Sequence, residues 1–205
     1  MSEWFRRRKK EYYYRLAKKL GYRSRSAFKL LQINRAFSII KRGNVVVDLG
    51  CAPGGWLQVA REIVGVNGFV VGIDLKPVPS LGFNNVITLK GDVKSEETIK
   101  RLIRLLPRNA DVVLSDLSPN VTGIWDLDHE RQIDLASAAL RVAKAVLKPG
   151  GNFLVKLFQG RRLKGYVDEL KKEFSFVKLY KPPASRKESA EIFAVCKGFK
   201  RVKAS

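Results

Sequence analysis

Cysteine and histidine are nearly absent from the sequence. Its 205 residues include two cysteines, Cys51 and Cys196, and a single histidine, His129. Disulfide frameworks and zinc sites need several such residues at short spacings, so we expect neither, and no metal cofactor. Apolar runs fall well short of the roughly 20 residues that cross a bilayer, and no apolar signal segment follows the charged N-terminal stretch. These absences predict a cytoplasmic protein without membrane association.

Acidic residues are also scarce, with 19 Asp and Glu against 40 Lys and Arg, a net charge of +21. The surplus lies at the two ends of the chain. Residues 1–42 hold fourteen basic against two acidic side chains, and residues 178–205 hold eight against two. The stretch between them is close to neutral. Such basic flanks favour a polyanion or an anionic surface as the partner.

The chain length suits one domain with a sizeable core. Short β-branched runs alternate with helical patterns, which predicts parallel strands at 45–48, 69–74, 86–89, 110–115 and 152–156. The helices predicted between and after them cover residues 54–64, 95–106, 129–146 and 163–173. Two final strands, 176–180 and 191–197, are joined by a loop too short for a helix and are therefore predicted to be antiparallel.

We therefore predict a single α/β domain over residues 1–205, with helices on both faces of a mostly parallel seven-stranded sheet. Residues 1–42 form a basic helical extension, which includes a helix over 11–20. Residues 43–197 form the core, and residues 198–205 form a basic tail.

A glycine-rich turn follows the first predicted strand, where α/β sheets bind ligands. Its sequence, Gly50-Cys51-Ala52-Pro53-Gly54-Gly55, matches neither G-x-G-x-x-G nor the phosphate-binding loop of nucleotide hydrolases. Asp74 ends the second strand, where a carboxylate can accept ribose hydroxyls, and Asp92 follows the third, within reach of an adenine edge. Together they indicate an adenosine ligand without phosphates. Trp56 either packs at the start of its helix or contacts this ligand.

The loop after the fourth strand reads Ser115-Asp116-Leu117-Ser118-Pro119-Asn120. It lacks the aromatic that amino-methylating enzymes stack on a base, and it lacks the cysteine that cytosine C5 methylation needs as nucleophile. Lys156 ends the apolar fifth strand. Desolvation would favour a neutral lysine that serves as a general base; alternatively, its ammonium group reaches solvent beyond the strand end.

Four segments occur in an order that is recognisable: residues 21–30, 48–56, 116–120 and 156–160. Through them the chain resembles the FtsJ/RrmJ-like ribose 2′-O-methyltransferase family over almost all of residues 11–197. The resemblance implies a Rossmann-like fold that binds S-adenosylmethionine. It also implies a catalytic tetrad, which falls on Lys29, Asp116, Lys156 and Glu191. Glu188 is a nearby rival for the glutamate position.

The resemblance further implies in-line methyl transfer to a ribose 2′-hydroxyl, with Lys156 as the base. The expected substrate is a uridine of large-subunit ribosomal RNA, with a transfer RNA anticodon loop as the alternative. The enzyme is expected to be a monomer. An RNA-binding ribosome assembly factor is the non-enzymatic alternative, and a nicotinamide oxidoreductase is disfavoured by the glycine spacing. The side chains expected to contact RNA are Arg6, Arg7, Arg8, Lys9, Lys10, Lys18, Lys19, Arg23, Arg25 and Arg186.

Overall fold

The computed structural model describes residues 12–200. Seven strands form one sheet in the order β3-β2-β1-β4-β5-β7-β6. Only β7 runs antiparallel to its neighbours, which confirms the predicted sheet. The chain proceeds outward from β1 to β3 and then returns to place β4 on the other side of β1. The strands are β1 (Val45–Leu49), β2 (Phe69–Asp74), β3 (Val86–Lys90), β4 (Ala110–Ser115), β5 (Leu147–Phe158), β6 (Phe174–Tyr180) and β7 (Glu191–Phe199).

Helices cover both faces of the sheet, because the central strands are apolar on both sides. One core cluster packs α4, α5 and α6 against the sheet, and a second packs α2 and α3 against the opposite face. The helices are α1 (described over 12–19), α2 (Ala27–Phe37), α3 (Gly55–Val64), α4 (Glu96–Leu105), α5 (Trp125–Val146) and α6 (Leu163–Glu173).

Five predicted boundaries differ from the structure by two residues or more, among them the end of β5, at Phe158 rather than 156, and the start of β6, at Phe174 rather than 176. Helix α5 begins at Trp125 rather than 129, because its first turn holds acidic residues that suit a helix N-terminus. Strand β5 begins at Leu147 rather than 152, since an irregularity in the β4–β5 register absorbs a Pro-Gly-Gly segment that has the composition of a turn. Strand β7 continues to Phe199 rather than ending at 197.

Neither cysteine is placed for chemistry. Cys51 and Cys196 are both buried and unbonded to each other, and burial raises the pKa of each thiol. Within residues 12–200, no three His, Cys, Asp or Glu side chains are grouped so that they could hold a metal ion. In the same range, no helix combines the length and the apolar character needed to cross a bilayer.

Candidate active site

The glycine turn between β1 and α3 is held in a conformation that few other residues could adopt. Gly50 has φ of +79°, and a Cβ there would lie 2.9 Å from the side chain of Leu117. Gly54 has φ of +113°, and a Cβ there would meet the side chain of Arg23 at 3.0 Å. The amide of Gly50 also donates to Ile73 of β2. The turn is therefore a close-packed cradle at the carboxyl edge of the sheet, where the strand order reverses.

Three carboxylates lie near this cradle: Asp48, Asp74 and Asp116. Asp48 is fully buried, and neither of its oxygens has a hydrogen-bond partner. Burial, followed by the charges of Asp116 and Asp74, raises the pKa of Asp48 well above its usual value. A buried, unpaired acid of this kind calls for a positively charged or donor-rich partner.

Asp74 and Asp92 stand at the ends of β2 and β3, as predicted, and both help to shape their loops. One oxygen of Asp74 accepts the amide of Ala52 in the glycine turn at 2.9 Å, and the other accepts the amide of Lys76 at 2.8 Å. Asp92 is exposed and accepts the amide of Lys94. Each carboxylate oxygen can accept a further bond, so both residues stay proposals as cofactor ligands.

The residues of the cradle fit S-adenosylmethionine. This cofactor carries positive charge on its sulfonium and amino groups and has no phosphate. The acidic cluster complements those charges and would repel a pyrophosphate. We did not predict a role for Asp48 from the sequence, although an acidic residue within the apolar run of β1 was a usable signal.

Sequence analysis offered two roles for Trp56, packing at the start of its helix or contact with the cofactor, and the structure supports packing. Its side chain is 3% exposed, its Nε1 donates to the carbonyl of Ser26 at 2.9 Å, and its ring packs near that of Phe193. The indole thus fastens α3 to the segment before α2, and nothing in this arrangement supports a contact with the cofactor. Pro53 is exposed in the turn, with Gly55 buried behind it.

Lys29 and Glu191 form the first half of the tetrad, although 162 positions separate them in the chain. Lys29 Nζ lies 2.7 Å from Glu191 Oε2, and Ser185 donates to the other carboxylate oxygen at 2.8 Å. Burial acts to raise the pKa of this carboxyl, but the nearby ammonium groups of Lys29 and Lys156 and the hydroxyl of Ser185 outweigh burial and hold the pKa below its ordinary value. The glutamate is therefore ionised and fixed in place.

Lys156 and Asp116 form the second half. Strands β4 and β5 are parallel neighbours with Ser115 opposite Val155, so the next residue of each strand leaves the sheet at the same edge. Lys156 Nζ donates to the backbone carbonyl of Asp116 at 2.7 Å and lies 3.1 Å from Oδ1, an ion-pair distance without hydrogen-bond geometry to that oxygen. The side chain is only 7% exposed. The alternative of an ammonium that reaches solvent is wrong.

Gln132 of α5 supports both strand ends and was missed by sequence reasoning. It is buried, and its amide nitrogen donates to the carbonyl of Lys156 at 2.8 Å and to that of Leu117 at 3.3 Å. One side chain thus links the loops that carry Asp116 and Lys156. A polar residue on the buried face of α5 was the only signal in the sequence.

A cavity of about 340 Å³ opens beside Lys29 and Glu191. Two predicted RNA contacts, Arg25 and Arg186, line it. Burial, and then the positive charge of Arg186, lowers the pKa of Arg25, although Glu191 acts in the opposite direction. Two guanidinium groups held this close suit an anion such as phosphate. Glu188 also lines the cavity, but the ion pair with Lys29 is made by Glu191.

Arg23, one of the predicted RNA contacts, binds the backbone of two loops in the structure, and its contact with RNA stays a prediction. Its guanidinium donates to the backbone carbonyls of Pro79 at 2.6 Å, Ser80 at 2.8 Å and Pro53 at 3.4 Å. These bonds use three of the five N–H donors of the guanidinium, and they tie the glycine turn to the loop between β2 and β3. Lys18 and Lys19 are exposed on α1. The remaining predicted contacts, Arg6, Arg7, Arg8, Lys9 and Lys10, lie outside the described residues.

The sheet with its antiparallel β7, the phosphate-free nucleoside cradle and the buried acid at the switch point together define an S-adenosylmethionine-dependent methyltransferase. A family profile described as FtsJ-like methyltransferase matches residues 22–199. This chain belongs to that family, as its resemblance in sequence predicted.

Named relatives agree with this membership. The chain is 52% identical over 201 residues to the ribosomal RNA large subunit methyltransferase E of Methanocaldococcus jannaschii, an alignment that covers 97% of this chain and 82% of that protein. A protein of the same name from Methanothrix thermoacetophila is 57% identical over 191 residues, which is 93% of this chain and 73% of that protein.

Solved structures show the same fold. A Plasmodium falciparum protein named as a ribosomal RNA methyltransferase superposes with a TM-score of 0.77 at 28% identity, over 87% of this chain and 98% of that one. Fibrillarin from Aeropyrum pernix, solved with S-adenosyl-L-methionine bound, superposes with a TM-score of 0.62 over 85% of this chain and 75% of that one. At 18% identity the second likeness shows the fold alone.

Proposed function

We propose that this enzyme transfers a methyl group from S-adenosylmethionine to a ribose 2′-hydroxyl of large-subunit ribosomal RNA, with a uridine as the target. The observation that carries the proposal is the convergence of the Lys29–Glu191 and Lys156–Asp116 pairs, the first of which lies beside a cavity lined by two arginines. Relatives that are 50% or more identical to this chain are named ribosomal RNA large subunit methyltransferase E, which supports the choice of RNA.

The cofactor supplies a methyl group that is already electrophilic, because it is bonded to a positively charged sulfur. The protein must therefore align the hydroxyl oxygen with that methyl and take up the hydroxyl proton as the oxygen–carbon bond forms. Lys156 accepts this proton in our scheme as a neutral amine, because an ammonium could not take it up, and its Nζ is buried and aimed by Asp116. Lys29 steers the oxygen while Glu191 fixes Lys29.

The cofactor-binding residues in this scheme are Gly50, Gly54, Asp48, Asp74 and Asp92, with Asp116 near the methyl group. Arg25 and Arg186 contact the phosphate backbone at the cavity, which places a ribose at the tetrad. The basic ends of the chain add affinity for RNA that does not depend on the nucleotide sequence. The monomeric state and the cytoplasmic location stay predictions.

The identity of the RNA is tested by labelled methyl transfer. Purified enzyme is incubated with labelled S-adenosylmethionine and separated large-subunit RNA, small-subunit RNA or transfer RNA, each free of this modification. We expect label in large-subunit RNA at one mapped nucleotide. Label in transfer RNA alone would replace the proposed substrate by the anticodon-loop alternative. Tight RNA binding without any transfer would favour the assembly-factor alternative and overturn the proposal.

A further inference from the structure

An exposed tryptophan lies at the rim of the active site and has no part in the chemistry described above. Trp125 opens α5, and 50% of it is exposed. Its ring lies nearly parallel to that of Phe158, with 6.3 Å between centroids and 20° between planes, and stacks in a similar way on His129 at 6.4 Å and 21°. Half of the tryptophan is therefore accessible to solvent, while its contacts with Phe158 and His129 fix the orientation of the ring.

The segment that carries this ring is held in place by hydrogen bonds. The buried carboxylate of Asp128 accepts the amide and the hydroxyl of Thr122, at 2.8 and 2.9 Å, and the amide of Gly123 at 3.0 Å. His129 is buried beneath Trp125, and its Nε2 accepts the amide of Arg162 at 3.1 Å. Little conformational freedom is left for a ligand to remove when it stacks on the ring.

The ring is close to the reacting groups. Phe158, on which it stacks, pairs directly with Glu191 across the β5–β7 ladder. Phe158 also follows Lys156 by two positions, about 7 Å along the strand. Further along α5, Gln132 holds the backbone of Lys156 itself. The distance from the tetrad to Trp125 is thus one that neighbouring nucleotides of a single strand can span.

We propose that Trp125 is a stacking platform for the base of an RNA nucleotide that flanks the methylated one. This inference rests on the proposed function. Aromatic side chains bind unpaired RNA bases by stacking, and every base offers such a face. Exposed apolar side chains of Val121, Ile124 and Leu127 surround the same region.

Charge decides between the base and the backbone as the contact. Asp126, next to Trp125, is exposed and acidic, so it disfavours a phosphate at this point. Arg161 and Lys164, just beyond Phe158, are exposed and basic and suit the adjoining backbone. A protein partner is disfavoured, since the net charge of +21 and the nearby arginine-lined cavity both call for a polyanion.

The test compares Trp125→Leu and Trp125→Phe with the wild type. Leucine keeps apolar bulk but removes the planar ring, whereas phenylalanine keeps a smaller ring. Phe176→Leu is the matched control, because Phe176 is 42% exposed on the edge strand β6. Thermal unfolding checks that all variants fold. We expect the leucine variant to bind large-subunit RNA fragments on the order of tenfold more weakly. The phenylalanine variant should stay within about threefold, and the KM for S-adenosylmethionine should not change in any of them.

An RNA made abasic at one nucleotide at a time identifies the base involved. We expect one flanking position at which base removal weakens wild-type binding by the same factor as Trp125→Leu, with no further loss when both changes are combined. If base removal weakened RNA binding equally at every nucleotide, in the wild type and in Trp125→Leu alike, the inference would be overturned. Unchanged binding of naked RNA together with weaker binding of the assembled subunit would assign the surface to a protein and would also overturn it. Failure of this inference can be told apart from failure of the proposed function. The inference is tested by RNA binding, which needs no turnover, whereas the proposed function is tested by methyl transfer.

Discussion

Asp48 lies in the proposed cofactor site, and its burial without a partner destabilises the fold. The side chain is fully buried in β1 without a hydrogen-bond partner, and its pKa is raised. An unfolded aspartate has a pKa of about 3.9. Above that value the unfolded chain releases this proton while the folded protein keeps it, so the free energy of unfolding falls as pH rises until the folded pKa is reached.

Replacing this acid should therefore stabilise the protein without cofactor. We expect Asp48→Asn to raise the free energy of unfolding by about 1–3 kcal/mol at pH 7, with a much smaller gain near pH 4. Urea unfolding at both pH values measures the difference. Asp92→Asn is the control, since Asp92 is exposed and its asparagine can still accept the amide of Lys94. Equal gains at pH 4 and pH 7 would show that Asp48 is not protonated in the fold.

Lys156 allows a second prediction at this scale. Lys156→Ala removes the proposed proton acceptor but leaves the glycine cradle intact, so methyl transfer should fall by about 10²-fold or more. Affinity for S-adenosylmethionine, measured by calorimetry, should stay within a few fold of the wild type. Turnover at the wild-type rate would sink the assignment of Lys156 as the base.

At the scale of elements, the segment before α2 joins the cofactor site to the tetrad. Arg23 binds carbonyls of the glycine turn and of the β2–β3 loop, Trp56 donates to Ser26, and α2 then carries Lys29 into the site. Gln58 of α3 adds bonds to Arg23 and Gly21. The segment is therefore placed by the same contacts that shape the cradle.

Two neighbouring arginines should consequently behave differently. We expect Arg23→Ala to raise the KM for S-adenosylmethionine on the order of tenfold and to leave RNA affinity nearly unchanged, because it loses bonds to the cofactor turn. Arg25→Ala should weaken RNA affinity on the order of tenfold and leave the KM for S-adenosylmethionine nearly unchanged, since Arg25 lines the cavity with Arg186. Initial-rate kinetics with each substrate varied in turn distinguish them. If Arg23→Ala weakened RNA binding without raising the KM for S-adenosylmethionine, Arg23 would instead be assigned to phosphate contact.

Local sequence patterns predicted the strands but not the contacts that individual side chains make in the folded protein. Strands β1 to β4 were found within one or two residues of their bounds, because β-branched runs ended by turn residues are a local signal. The four tetrad positions came from motifs in fixed order. The bonds of Arg23 could not be predicted, since its partners are backbone carbonyls up to 57 positions away and carry no side-chain signature. The unpaired state of Asp48 likewise depends on what packs around it.

At the scale of the whole molecule, charge is the main feature. The basic ends flank a nearly neutral core, and Lys29 and Glu191 come from these two ends. The fold thus brings basic segments from both ends of the chain to the tetrad. RNA affinity should depend strongly on salt as a result.

If six or more basic side chains contact phosphates, affinity for RNA should fall about a thousandfold between roughly 50 and 200 mM salt. Filter binding over a salt series gives the slope. Affinity for S-adenosylmethionine, measured in the same series, serves as the control and should change far less. A shallow slope for RNA would contradict the assignment of the basic ends to phosphate contact.

In our proposal the tetrad directs the methyl group to a ribose oxygen rather than to a base. The most direct measurement digests RNA labelled by the wild-type enzyme to single nucleosides and locates the methyl group by mass spectrometry. We predict that the methyl group lies on the 2′-oxygen of one nucleoside and that Lys156→Ala lowers the yield of this product by about 10²-fold or more. A methyl group on a base would contradict the account.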